Sequence, residues 1–292
     1  MIGLHPSIHE PPERLSLTCP LGLRFLDTAT GTLVADGGLS QTGGAGLRAS
    51  AWPDGNPHAK KDAIVTPSGI HSFSGLPGLR RFENNEADDP WNPPPETAVF
   101  QVEVTDTFNR FLPCRLSIDA PVRGLVDFGG NGSPPGFESG AVPLFSAPWR
   151  ALPTGLAVVR AELKDGLTGR PAAWAVAEAS YSSGGLLRTA RGLADGQGRL
   201  VMLFAYPEGQ RHSFNGSPPL SAQSLSQQQW TLNLGFFYVS VDDPESAAVY
   251  EFRLDQPPVN AWRGESPMTP LFEESLTFGR ELNLGAVFLE PA

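Results

Sequence analysis

Between Val158 and Pro207 the chain alternates apolar and polar residues, reverses on aspartate-glycine pairs and alternates again, which narrows the possible folds more than any other stretch. Val159, Ala161 and Leu163 alternate with Val158, Arg160, Glu162 and Lys164, the period-two pattern of a strand with one buried face. Asp165-Gly166 and Thr168-Gly169 tolerate positive φ, so the chain can reverse before Pro171. A second strand follows, with Trp174, Val176 and Ala172 on one face and Ala173, Ala175 and Ala177 on the other, small enough to lie under a neighbouring sheet. Asp195-Gly196-Gln197-Gly198 is another tight turn. It launches Leu200 to Tyr206, apolar on both faces, which predicts a central strand covered on both sides.

This succession of strand, Asp165…Thr168-Gly169-Arg170-Pro171 turn, strand, Ala194-Asp195-Gly196-Gln197-Gly198-Arg199 turn and strand resembles the carboxypeptidase-regulatory-like, or transthyretin-like, β-sandwich module. The resemblance implies a sandwich of a kind that is usually non-catalytic. It assigns no activity, because a fold does not carry a function with it.

At 292 residues the chain has room for one large domain or two to three small ones. Its 32 glycines and 29 prolines exclude long helices from most of its length. With 40% hydrophobic and 18% charged residues it reads as a turn-rich globular β protein and not as a disordered one. A net charge of −10 repels phosphate backbones, and Lys60-Lys61 and Arg80-Arg81 are too few to offset it, which argues against a nucleic-acid partner. No run of about 18 apolar residues could span a membrane. Met1 to His9 lacks the basic and apolar regions of a secretory signal, so synthesis in the cytoplasm is expected. Cys19 and Cys114 are the only cysteines. A bridge would need them adjacent on adjoining strands, and cytosolic thiols stay reduced.

The expected organisation is an extended arm over 1–20, a first β-sandwich over 21–120, a connector over 121–154 and a second β-sandwich over 155–292. The fold class is mainly β: two antiparallel sandwiches with long Pro/Gly loops and one short C-terminal helix. His5 and His9 flank Pro6 without a third ligand, so no metal site is expected there. Asp27…Thr30-Gly31 repeats the spacing of Asp165…Thr168-Gly169. Residues 43–67 read as a long loop carrying Trp52, of the kind that often faces a partner. His71 and Phe73 share one face of a short strand, where the histidine reads as structural. The acidic run Glu83 to Asp89 lacks the spacing of a calcium loop and reads as solvated. Phe100, Val102 and Val104 point to one side of a strand that precedes a turn at Asp106 to Arg110. In the connector, Val142 to Arg150 places Leu144, Phe145 and Trp149 along a domain junction or against another subunit, the former being favoured. Asp243 to Gln256 carries the helix signals: Asp243 as cap, Pro244 at the first position and Pro257-Pro258 as stop. The tail from Glu274 to Leu289 forms two closing strands.

None of the common catalytic motifs is present: there is no nucleophile elbow, zinc-binding helix, phosphate-cradling glycine loop or Cys/His metal spacing. Asp165 and Asp195 could form a hydrolytic carboxylate pair, but an aspartate that bonds its own turn amides explains each better. No cofactor is expected. At larger scale, stretches such as LRFLDTATGTLVADG, SGIHSFSGLPGLRRFE, VPLFSAPWRALPTGLAVVRAEL and RGLADGQGRLVMLFAYPE resemble a family of bacterial proteins associated with phage-tail-like extracellular contractile injection systems. That resemblance implies a non-catalytic subunit in the baseplate, cap or an accessory position, with other protein subunits as partners, homo-oligomerisation left open and release, if any, as part of an extracellular particle. Trp52, Trp91, Leu144, Phe145, Trp149 and Trp262 are the candidate interaction residues. A carbohydrate- or surface-binding sandwich using Trp52, Trp91 and Trp262 is the alternative, and a hydrolase the least favoured.

Overall fold

The computed structural model describes residues 18–35, 46–83, 91–92, 95–126, 140–207, 225–240, 250–251, 256–264 and 272–291. Strands dominate these residues, and the helical pieces among them are three-residue turns at Pro57–Ala59, Arg80–Phe82 and Leu225–Gln227. His5, His9, the loop at 129–136 and most of the acidic run lie outside the described residues.

The first sandwich has a five-stranded sheet in the order Tyr250–Glu251, Cys114–Ala120, Ala98–Asp106, Leu47–Pro53 and Lys61–Asp62. Opposite it, Leu21–Leu23 pairs antiparallel with His71–Phe73 and, after Arg24, Phe25–Asp27 pairs in parallel with Val142–Leu144. Alternation decides which side chains go in: Phe100, Val102 and Val104 are at most 1% exposed and pack with Leu21, Leu23, Phe25 and Phe73. Each such burial is worth about 1.5–3 kcal/mol, so these few residues supply much of the force holding the sheets together.

In the second sandwich, a four-stranded sheet in the order Arg199–Ala205, Leu156–Asp165, Leu282–Leu289 and Ala261–Arg263 faces a sheet of Leu186–Leu193, Val176–Ser183, Gln229–Phe237 and Pro258–Val259. Glu273–Thr277 also pairs with Gln229–Phe237. Ala157, Ala161, Ala175, Ala177 and Ala179 line the interior beside Met202, Phe204, Phe236 and Val287. Among the described strands pairing is mostly antiparallel, the parallel strand pairs being Val142–Leu144 on Phe25–Asp27, Leu282–Leu289 on Leu156–Asp165, and Tyr250–Glu251 on Cys114–Ala120.

Several local expectations need correction. The loop expected around Trp52 contains the seven-residue strand Leu47–Pro53, paired along its length with Ala98–Asp106. Its inward residues Ala49 and Ala51 are too small to mark a strand by hydrophobicity, and Trp52 sits on the opposite, polar face. The supposed connector supplies the strand Val142–Leu144, all three residues buried. A helix over Asp243 to Gln256 is contradicted at Tyr250–Glu251, which form a strand on Cys114–Arg115; residues 241–249 and 252–255 lie outside the described residues. The capping signals there are local, whereas the edge of the first sheet offers those two residues backbone partners. Arg199–Ala205 is covered on both faces but lies at the edge of its sheet, because Leu200, Met202 and Phe204 face the second core while Val201 and Leu203 pack against Ala29. Cys19 and Cys114 are free thiols.

Candidate functional site

Among the described residues four aspartates are buried, each at most 8% exposed, and each carries a turn. At Asp27 and Asp165 the main-chain carbonyl accepts the N–H of the glycine four residues on, Gly31 and Gly169, whose φ values are 67° and 70°. Their carboxylates accept backbone N–H groups within the turn: Ala29 donates to Asp27 (2.9 Å), and Leu167 and Thr168 donate to Asp165 (2.9 and 2.8 Å). Asp106 and Asp195 follow a second spacing. Their carbonyls accept the N–H three residues on, at Asn109 and Gly198, both with positive φ, and their carboxylates take the backbone N–H and Nε of the arginine four residues on, Arg110 and Arg199. The two sandwiches therefore share two turn types in the same order. The turn at Asp106 was legible in the sequence, but its likeness to the Asp195 turn was not, because asparagine, which also tolerates the left-handed region, stands where Asp195 has its glycine.

These bonds occupy the carboxylates that a hydrolase would need. Burial pushes the Asp165 carboxyl up, but the N–H groups of Thr168 and Leu167 with the hydroxyls of Thr168 and Tyr238 outweigh it and hold the group below the usual range. The Tyr238 hydroxyl donates to Asp165 at 3.1 Å, and burial pushes it up to about 12. Such a carboxylate stays ionised and engaged, the opposite of a poised general acid. Among the described residues no three His, Cys, Asp or Glu side chains gather as a metal site. A cavity of about 10 Å³ between Leu112, Cys114, Phe145 and Leu193 is at the lower limit for one water molecule.

The six candidate interaction residues fall into different environments. Leu144 and Phe145 are 1% and 3% exposed and belong to the first core, so they are not available to a partner. Trp52 is 7% exposed, its ring flanked by Lys60 and Arg115 at 5.1 and 5.6 Å from the centroid. Trp91 is half-buried against Phe82, and Trp262 is half-buried, stacked on Phe288 and covering Gly166. Trp149 alone of the six is presented, at 52% exposure, with the Arg199 guanidinium 5.3 Å from its ring centre.

Trp149 projects from a strap that crosses between the sandwiches. Arg150, next to it, turns inward and clasps Asp27 through two bonds, Nη1 to Oδ1 at 2.9 Å and Nη2 to Oδ2 at 2.6 Å, while Nη1 also bonds Ser146 at 2.9 Å. Burial raises the Asp27 carboxyl, yet the hydrogen bond and charge of Arg150 prevail and hold it below its ordinary value. On the other side, Arg160 of the second sandwich donates to the Pro148 carbonyl at 2.6 Å and pairs with Glu281 at 3.1 Å. The sequence reading missed a further feature: Leu186 and Leu187, 60% and 75% exposed, stand just after the Gly184-Gly185 turn on a strand that forms the outer edge of its sheet. Adjacent leucines beyond a Gly-Gly turn were the signal available for it.

Fold and site together define a mainly-β protein of face-to-face sheets whose buried charges serve its turns. No protein-family model matches the chain, and no curated protein matches it. Solved structures similar to it include a candidate adhesin from Bacteroides ovatus, at 11% identity and a TM-score of 0.18, covering 81% of this chain and 84% of that one. The shaft pilin SpaA from Lactobacillus rhamnosus GG aligns at 9% identity and a TM-score of 0.21, over 93% of this chain and 97% of the other. Likeness at these scores extends to neither the arrangement of the sheets nor the roles of those proteins.

Proposed function

We propose that the protein is a non-catalytic structural component of a multi-protein assembly, its sheets serving as a stiff support and its exposed apolar points as contacts. The observation that carries this reading is the engagement of all four aspartates buried among the described residues in turn hydrogen bonds, which assigns these interior charges to architecture. Trp149 and the Leu186-Leu187 hairpin are the docking points this reading favours, since both present large apolar side chains to solvent, the leucines on the edge strand of their sheet. A phage-tail-like contractile injection particle is the particular assembly that the sequence resemblance suggests. The glycan-binding alternative loses support because Trp52, Trp91 and Trp262 are covered by their own neighbours.

Density-gradient sedimentation of the natively expressed protein tests the reading. It should travel with a large particle, and a Leu186→Ser/Leu187→Ser variant with unchanged melting temperature should travel with it less. Recovery of the natural protein solely as a free monomer would overturn the proposal.

A further inference from the structure

Trp174 has a φ of 62° and is 8% exposed. A bulky side chain in the left-handed region is strained, and such a residue persists only where its surroundings over-determine it. Here they do so from both sandwiches. Ala172, Ala175 and Ala177 pack in the second core, whereas Ala173, Trp174 and Val176 pack in the first. The positive φ breaks the period-two alternation and sends the indole across the junction; a regular strand would have put Ala172 on the same side as Trp174. The ring lies over the second sandwich's Asp195 turn, where a Cβ on Gly196 would come 3.5 Å from it. The Trp174 carbonyl accepts a bond from the Gln256 amide at 2.8 Å, and the Gln256 Oε1 accepts the N–H of Val239 at 3.2 Å. Gln256 follows the excursion in which Tyr250–Glu251 leaves the second sandwich to join the first sheet.

We infer that Trp174 is a wedge, latched by Gln256, that makes the two sandwiches one rigid cooperative unit instead of two independent beads. Leu193 and Phe237 add to the same seam, and the strap at 142–150 closes it elsewhere. The inference concerns the chain alone and stands or falls apart from any assembly partner.

Calorimetry and native-state hydrogen exchange on the full chain test it. The natural protein should melt in one transition with equal calorimetric and van 't Hoff enthalpies. Trp174→Gly keeps the backbone conformation and removes the ring. It should lower the first melting step by about 10 °C and split the transition. Amides of Val102 and Val104 should then exchange about tenfold faster relative to those of Val159 and Leu163. Should that variant fail to fold, Gln256→Ala, which spares the ring, should shift the same exchange ratio in the same direction. A two-step melt of the natural protein, or an exchange ratio unchanged in the folded variants, would overturn the inference.

Discussion

Asp27 and Arg150 lie 123 positions apart, and their side chains are 8–9% exposed where they meet. Removing one partner strands the other charge, so Arg150→Met should cost about 3–5 kcal/mol in denaturant unfolding. Adding Asp27→Asn should restore part of that loss, because the buried charge goes with it. Acid should act through Asp27 and Asp165. Both folded carboxyls sit below their unfolded values, so their stabilisation is fully present above about pH 4 and fades as pH falls through the folded values. Melting temperature followed from pH 7 to pH 2 should drop in that window, and Asp165→Asn should flatten the fall. Cys114 has the reverse sign. Burial pushes its thiol to about 12, so its contribution is present below the unfolded value near 8.5 and is lost as pH rises toward 12. Cys114→Ala should lessen the alkaline loss measured over that range.

At the scale of elements, the turns were legible and some strands were not. Aspartate and glycine at set spacings act through local hydrogen bonds, so Asp27, Asp165 and Asp195 marked their reversals without help from the rest of the chain. Gly31 and Gly198 share a positive φ but differ in surroundings. A Cβ at Gly31 meets nothing within 4 Å, whereas one at Gly198 would run into the Leu163 carbonyl. Gly31→Ala should therefore cost about 1 kcal/mol, the conformational penalty alone, and Gly198→Ala distinctly more, both read from chemical denaturation. The strand Leu47–Pro53 was hidden because its inward face is largely alanine and its tryptophan faces outward under Lys60 and Arg115. At Tyr250–Glu251, good helix signals yielded to a vacant strand edge far away in sequence.

For the whole molecule, the decisive feature is that sequence-contiguous modules do not keep separate interiors. Trp174, Val176 and Leu193 belong to the first core, Ala29 covers Val201 and Leu203 of the second sandwich, and Val142–Leu144 completes a sheet begun by Phe25–Asp27. A fragment of residues 155–292 should consequently expose Trp174, Val176 and Leu193. It should bind a hydrophobic dye and give poorly dispersed amide NMR spectra, and the full chain should do neither. A well-folded, dye-silent fragment would show the shared seam to be dispensable.

The sequence by itself determined the mainly-β class, the aspartate turns and most inward faces, because these follow from side-chain period and from hydrogen bonds a few residues long. Tertiary structure alone decided that Leu144 and Phe145 are core, that Arg150 clasps Asp27, and that Trp174 turns left-handed into the neighbouring sandwich. Those outcomes depend on which sheet offers a complementary surface, a long-range packing choice that overrides local alternation and leaves no mark in any short window of residues.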